Sequence, residues 1–144
     1  MSKREIELFI FDIFVAIVKI KETVKPFDCS DNLKHQYLSW DSVVREFEII
    51  GEASKHLLKN NCINEEYQKI VDFRNQITHA YFGIDEDIVW LIVHKDLNDF
   101  KAVIVLLIDK IEDGLKRELI EAFIEDNIYL AFVVEELKVL NDDQ

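Results

Sequence analysis

The chain has 144 residues, 49% of them hydrophobic and 32% charged, with a formal net charge of -12. That composition suits one soluble globular domain with a real core and is too apolar for a disordered chain. The acidity excludes a duplex binder that relies on a broad basic face, so any contact with nucleic acid must be local, through a few placed cations.

Three glycines and one proline leave few places for turns, which points to long helices and an all-α bundle. Cys29 and Cys62 stand alone, with no CxxC and no histidine at ligand spacing. Neither a zinc site nor a disulfide framework is expected, and two free thiols suit a reducing cytoplasm. Lys3 and Arg4 precede an apolar run as in a signal peptide, but Glu5, Glu7 and Asp12 interrupt it and no small-residue cleavage site follows. No stretch reaches the roughly 18 uninterrupted apolar residues of a membrane span. The expectation is a cytoplasmic protein with no membrane contact.

Ile6, Phe9, Ile10, Ile13, Ile17 and Ile20 recur at helical spacing and predict a first helix over residues 4–24. Leu8, Phe11, Val15 and Val18 fall on its other faces, so it is apolar nearly all round. Such a helix is either enclosed in the core or supplies a dimer interface. Lys25-Pro26-Phe27-Asp28 breaks it, and Ser30 or Asp31 can cap a second helix running to about residue 60. Trp40, Val44, Phe47, Ile50, Leu57 and Leu58 face inward there. Gly51 costs that helix about 1 kcal/mol relative to Ala, and close approach of a neighbouring helix is the expected reason.

Asn64 can cap a third helix, with Glu65 and Glu66 in its first turn. Its stripe is Tyr67, Ile70, Arg74, Ile77 and Tyr81, so Arg74 takes a slot the pattern reserves for an apolar residue. Gly83 closes the helix beyond Tyr81. Asp85 can cap a short helix carrying Ile88, Val89, Trp90 and Ile92, and Asp96 with Asp99 three positions later gives a capping-box start for the next. That helix carries the stripe Leu97, Phe100, Ile104, Leu107 and Ile111. Beyond Gly114 one further helix is predicted to about residue 140, although residues 127–134 are rich in β-branched and aromatic side chains.

The chemistry is concentrated in Asp72-Phe73-Arg74-Asn75-Gln76-Ile77-Thr78-His79-Ala80-Tyr81. Each reactive residue has a structural account. Arg74 can snorkel, or pair with Glu46, Glu48 or Glu52 on another helix, because an unpaired buried charge is costly. His79 near a helix C-terminus suits the dipole, and Tyr81 can be a core aromatic whose hydroxyl reaches the surface. Taken together they read as a site. Asp72, Asn75, Gln76 and His79 share one polar stripe, where amide and carboxylate groups can fix the imidazole tautomer. Arg74 and Tyr81 lie more than about 100° away from His79 on an ideal helix. Arg74 and His79 therefore converge only if the helix end distorts or if a symmetry mate supplies the second set. Arg and His are what metal-free RNA cleavage needs: an imidazole moves the proton of the 2′-hydroxyl or the leaving group, and an Arg fork holds the phosphate. No acidic cluster with metal-ligand spacing stands nearby, so a two-metal nuclease is not expected.

Arg74-Asn75, three residues, then His79-Ala80-Tyr81 resembles the Arg-x4-His-x-Tyr motif of HEPN-domain proteins, specifically the HepT-like toxin family. The flanks agree: Arg45-Glu46-Phe47-Glu48-Ile49-Ile50-Gly51-Glu52-Ala53 upstream, and Tyr81 to Asp85, Val89-Trp90 and Asp96-Leu97 downstream. The likeness covers roughly residues 3–112. It implies an all-α, HEPN-type up-and-down helical bundle over residues 1–112, homodimeric, with the motif helices facing each other across the twofold. Residues 113–144 form a C-terminal helical extension packed on the same domain.

Members of that family are metal-independent endoribonucleases that act without a cofactor as toxins of toxin–antitoxin pairs, with tRNA or mRNA as target. Carried over by position, Arg74 and His79 are catalytic, Asn75 is a polar helper, and Tyr81 accepts AMP from an MntA-type nucleotidyltransferase antitoxin. Adenylates beside the cleft would repel RNA by added negative charge. The sequence departs from the family in two ways: Ala80 stands where glycine is usual, and the segment beyond about Asp113 exceeds the usual length. Two alternatives stay open. One is a non-catalytic HEPN partner subunit that binds a nucleotidyltransferase or a nucleotide. The other is a plain dimeric scaffold in which Arg74 serves stability.

Overall fold

The structure, a computed structural model, describes residues 3–79 and 83–142, with side chains from Glu5 onward except those of Thr78, His79 and Asp142. Its helices are α1 (Lys3–Val24), α2 (Ser30–His35), α3 (Tyr37–Lys59), α4 (Gln68–His79), α5 (Glu86–Leu91), α6 (Leu97–Asp109), α7 (Asp113–Asp126) and α8 (Ala131–Asp142). A 3₁₀ turn, Glu65–Tyr67, leads into α4, and a π-helical segment, Ile92–Asp96, carries α5 into α6. Among the described residues there is no strand. The expected all-α, HEPN-type bundle is the fold observed.

The all-round apolar α1 is the centre of this bundle. Ile13, Ile17 and Ile20 are fully buried, as is Phe11. Four helices surround α1: α3, α6, α7 and α8. Phe11 stacks on Phe123 of α7 with ring centroids 5.2 Å apart, and Lys101 of α6 lies over the Phe14 ring. Each such side chain contributes about 1.5–3 kcal/mol by leaving water, which makes α1 the main source of cohesion. Of the two readings of this helix, core enclosure is the one realised. The chain's own helices cover most of the surface of α1, with Leu8 left exposed near its N-terminal end. Leu119 and Ile120 of α7, with Val133, Leu137 and Leu140 of α8, join the same buried cluster.

α3 and α4 run antiparallel. Phe47 meets Phe73 edge-on at 5.1 Å, and Gly51 lies against Arg74 further along α3. Ile70, Phe73 and Ile77 are buried on the α3 side of α4, while Asp72, Asn75 and Gln76 are exposed on the other.

Several element boundaries differ from expectation, each for a local reason. The second predicted helix is two helices, α2 and α3, because Gln36 leaves helical geometry at φ -97, ψ 88. Neither Ser30 nor Asp31 caps it; Cys29 holds the cap position in extended backbone. Ser30 instead donates its hydroxyl to Asp87, and Lys34 pairs with Glu86 at 2.9 Å, tying α2 to α5. Asn64 stands before the 3₁₀ turn without a side-chain cap bond. Asp85 does cap α5, accepting from the Asp87 N–H at 2.9 Å. Asp96 starts no new helix, since the π segment runs through it at φ -66, ψ -37. Its carboxylate accepts instead from Lys69 Nζ of α4 at 3.0 Å. The single helix predicted beyond Gly114 is α7 and α8, separated at residues 127–130, where the Asn127 amide donates to the Phe123 carbonyl at 2.8 Å and closes α7. Among the described residues no helix is long and apolar enough to cross a membrane.

Candidate active site

Arg74 sits midway along α4, in a slot the sequence pattern treats as apolar, and the structure gives the reason it can. Its stem lies flat on α3 over Gly51, where a Cβ would overlap Arg74 Cβ and Cγ and meet Cδ at 3.3 Å. The neighbouring helix expected from Gly51 is therefore α4, and the atoms brought close are those of Arg74. The propensity lost at Gly51 is offset by the packing its missing side chain permits.

The guanidinium leaves this floor partly exposed, with 28% of the side chain accessible. Nη2 donates to Glu52 Oε2 at 2.9 Å, and Nη1 donates to the Asn75 side-chain oxygen at 3.1 Å. Of the three carboxylates that could pair with Arg74, Glu52 is the one that does. The other oxygen of Glu52 lies 3.6 Å from His56 Nε2, one turn along α3. The His56 ring is stacked on Phe9 of α1, with centroids 4.4 Å apart and planes 8° from parallel. A path of direct contacts thus runs from the core helix through His56 and Glu52 to the Arg74 fork. His56 was not singled out from the sequence, although its i,i+4 spacing from Glu52 is a visible signal.

A half-exposed ion pair of this kind adds only about 0.2–1 kcal/mol to stability. Its larger effect is geometric: an Arg side chain with many rotamers is held in one pose, with its planar fork directed to the surface.

His79 is the last described residue of α4, so its backbone closes the helix that carries Arg74. Ala80 and Tyr81 lie outside the described residues. The structure brings Arg74 and Asn75 together by a hydrogen bond, which places Asn75 as a bridge between the polar stripe and the arginine. Ile77 and Ile84 separate two grooves beside this helix end. One is lined by Trp40, Val44, Arg45 and Glu48 of α3, the other by Phe73, Gln76, Gly83 and Ile88. Among the described residues no three His, Cys, Asp or Glu side chains gather as a possible metal-ligand set.

Comparison with known proteins places this chain in a family. The family profile described as Ribonuclease HepT-like matches residues 13–107, which run from α1 through most of α6 and include the whole of α4. The chain belongs to the HepT-like ribonuclease family. It is similar to a Methanocaldococcus jannaschii protein named "Putative RNase MJ1380", 32% identical over 112 residues, covering 74% of this chain and all of that one. It is also similar to the "Probable ribonuclease HepT" of Thermococcus cleftensis, 31% identical over 103 residues, covering 69% of this chain and 93% of that one. No solved structure matches the chain. The HepT-like match ends before α7, and both α7 and α8 pack against α1.

Proposed function

We propose that this HepT-like chain is a metal-independent endoribonuclease, the toxin of a toxin–antitoxin pair, acting on tRNA or mRNA. The observation that carries the reading is the Arg74 guanidinium: held by Glu52 and Asn75 on the motif helix, it is a preset fork for a phosphate. In the reaction the 2′-oxygen of RNA attacks phosphorus as its proton leaves, and the bond to the 5′-oxygen breaks. That oxygen takes up a proton, leaving a 2′,3′-cyclic phosphate and a 5′-hydroxyl. His79 moves protons in this scheme, Arg74 offsets the charge gathering on phosphorus, and Asn75 steadies Arg74.

Two proton transfers and the wide angle between Arg74 and His79 on one helix favour a site shared by two copies. The surface that supports a homodimer is not α1. Tyr37 and Leu38 at the start of α3, and Ile88 and Leu91 on α5, are exposed large apolar side chains. Trp40 and Ile84 line one groove at the end of α4, and Ile84 and Ile88 line the groove beside it. A second copy seated there would bring two motif helices to one cleft.

Tyr81 is the acceptor of AMP from a cognate nucleotidyltransferase antitoxin in this reading. Intact-mass measurement after co-expression tests it: adenylate increments are expected on the wild-type chain and not on Tyr81→Phe. A wild-type chain without increments removes that role. Growth arrest on expression, relieved by His79→Ala, is expected of a toxin. Tight binding to a nucleotidyltransferase without RNA cleavage or growth arrest would favour the non-catalytic partner instead.

A further inference from the structure

We propose that Glu52 is a positioning residue for Arg74, and that the Gly51–Glu52 pair on α3 sets where the reactive guanidinium points. This rests on the reading of Arg74 as the group that grips the scissile phosphate. Neighbouring residues of one helix serve two purposes here. Gly51 supplies the floor on which the Arg74 stem lies, and Glu52 supplies the acceptor that orients Nη2 at 2.9 Å. Asn75 takes Nη1, so both terminal nitrogens are held and the plane of the fork is defined.

Glu52 is itself braced. His56 approaches its second oxygen at 3.6 Å, and the imidazole is stacked on Phe9 of the buried α1. The carboxylate therefore stands on the rigid centre of the bundle, not on a loop. An arginine stabilises a transition state only when its donors are in place before the charge develops, because otherwise part of the gain is lost to reorganisation. Glu52 meets that need at a distance from the reacting atoms. Its 47% side-chain exposure means that the fold does not require the pair as a buried charge, which leaves orientation as the effect to measure.

The test uses the full-length protein and a dye-labelled RNA oligonucleotide, comparing kcat and KM for wild type, Glu52→Ala and Glu52→Gln, each also in an Arg74→Lys background. Glu52→Ala is expected to lower turnover by about 10²-fold, as a misplaced catalytic group does. Glu52→Gln, which keeps one acceptor oxygen, is expected to lose less. In the Arg74→Lys background, where the fork is gone, Glu52→Ala should cost little more, since a positioning residue acts through its partner. Wild-type turnover in Glu52→Ala overturns the proposal and leaves the ribonuclease reading standing, as does an equal loss in both backgrounds. A wild-type chain that cuts no RNA overturns that reading and the role of Glu52 with it. Where Glu52→Ala fails to fold, unchanged turnover in the isosteric Glu52→Gln overturns the proposal.

Discussion

Gly51 and Arg74 meet so closely that no side chain fits between the α3 backbone and the arginine stem. The contact couples the most permissive residue of one helix to the most demanding residue of the next. Inserting a methyl group there forces α4 outward or turns Arg74 off its rotamer. Overpacking of this kind costs about 1–3 kcal/mol, against about 1 kcal/mol gained from the helix propensity of Ala. Gly51→Ala should therefore leave urea stability lower or near neutral while RNA cleavage falls well below wild type. Denaturation and cleavage measured on the same sample separate the two effects.

The degree to which this was legible in the sequence varied with the physics involved. The stripe of α1 and the misplaced Arg74 are periodic features, and periodicity survives in sequence. Gly51 announced a close neighbour because glycine inside a helix needs a reason. Glu52 remained one of three carboxylates, since the register between two helices depends on packing that no single stripe records. The break at Gln36 has no Pro or Gly to mark it. The Asp96–Asp99 pair imitates a capping box, but a π segment absorbs the turn and Lys69 takes the carboxylate. His79 stands out in the sequence by its polar stripe and its chemistry, Tyr81 by its place in the motif, and their side chains lie outside the described residues.

The α7–α8 unit is built into the main core through the Phe11–Phe123 stack. Phe11 is fully buried, and truncating such a residue costs about 3–5 kcal/mol. Phe11→Ala should lower the stability of the whole chain by that order. Circular dichroism and tryptophan fluorescence should still report one shared transition, because Trp40 and Trp90 belong to the same bundle as α7 and α8.

Asp12 gives the fold a pH signature. Burial against the bundle raises its carboxyl above the ordinary 3.8. Between 3.8 and the raised value the folded chain binds more protons than the unfolded chain, so this group makes stability fall as pH rises through that window. Above the window the penalty is complete. Asp12→Asn should unfold at a higher temperature than wild type at pH 7, and the gap should close as pH is lowered toward 3.8.

The proposed dimer face makes a separate prediction. Leu38 and Leu91 are 73% and 58% exposed, so charging them leaves the core intact. Leu38→Glu with Leu91→Glu should convert a dimer into a monomer by light scattering, with RNA cleavage lost in parallel and the unfolding midpoint little changed. A dimer that persists in this variant would place the interface elsewhere.

Arg74 and His79 are proposed to carry the chemistry of RNA cleavage without a metal. The most direct measurement is cleavage of RNA by the purified chain in EDTA, freed of any antitoxin, compared with Arg74→Ala and His79→Ala at matched folding by circular dichroism. Cleavage by wild type, ends carrying a 2′,3′-cyclic phosphate, and loss of activity in both variants are expected if Arg74 and His79 act in this way. Cleavage that survives both substitutions, or that stops when EDTA is added to the wild type, would contradict that proposal.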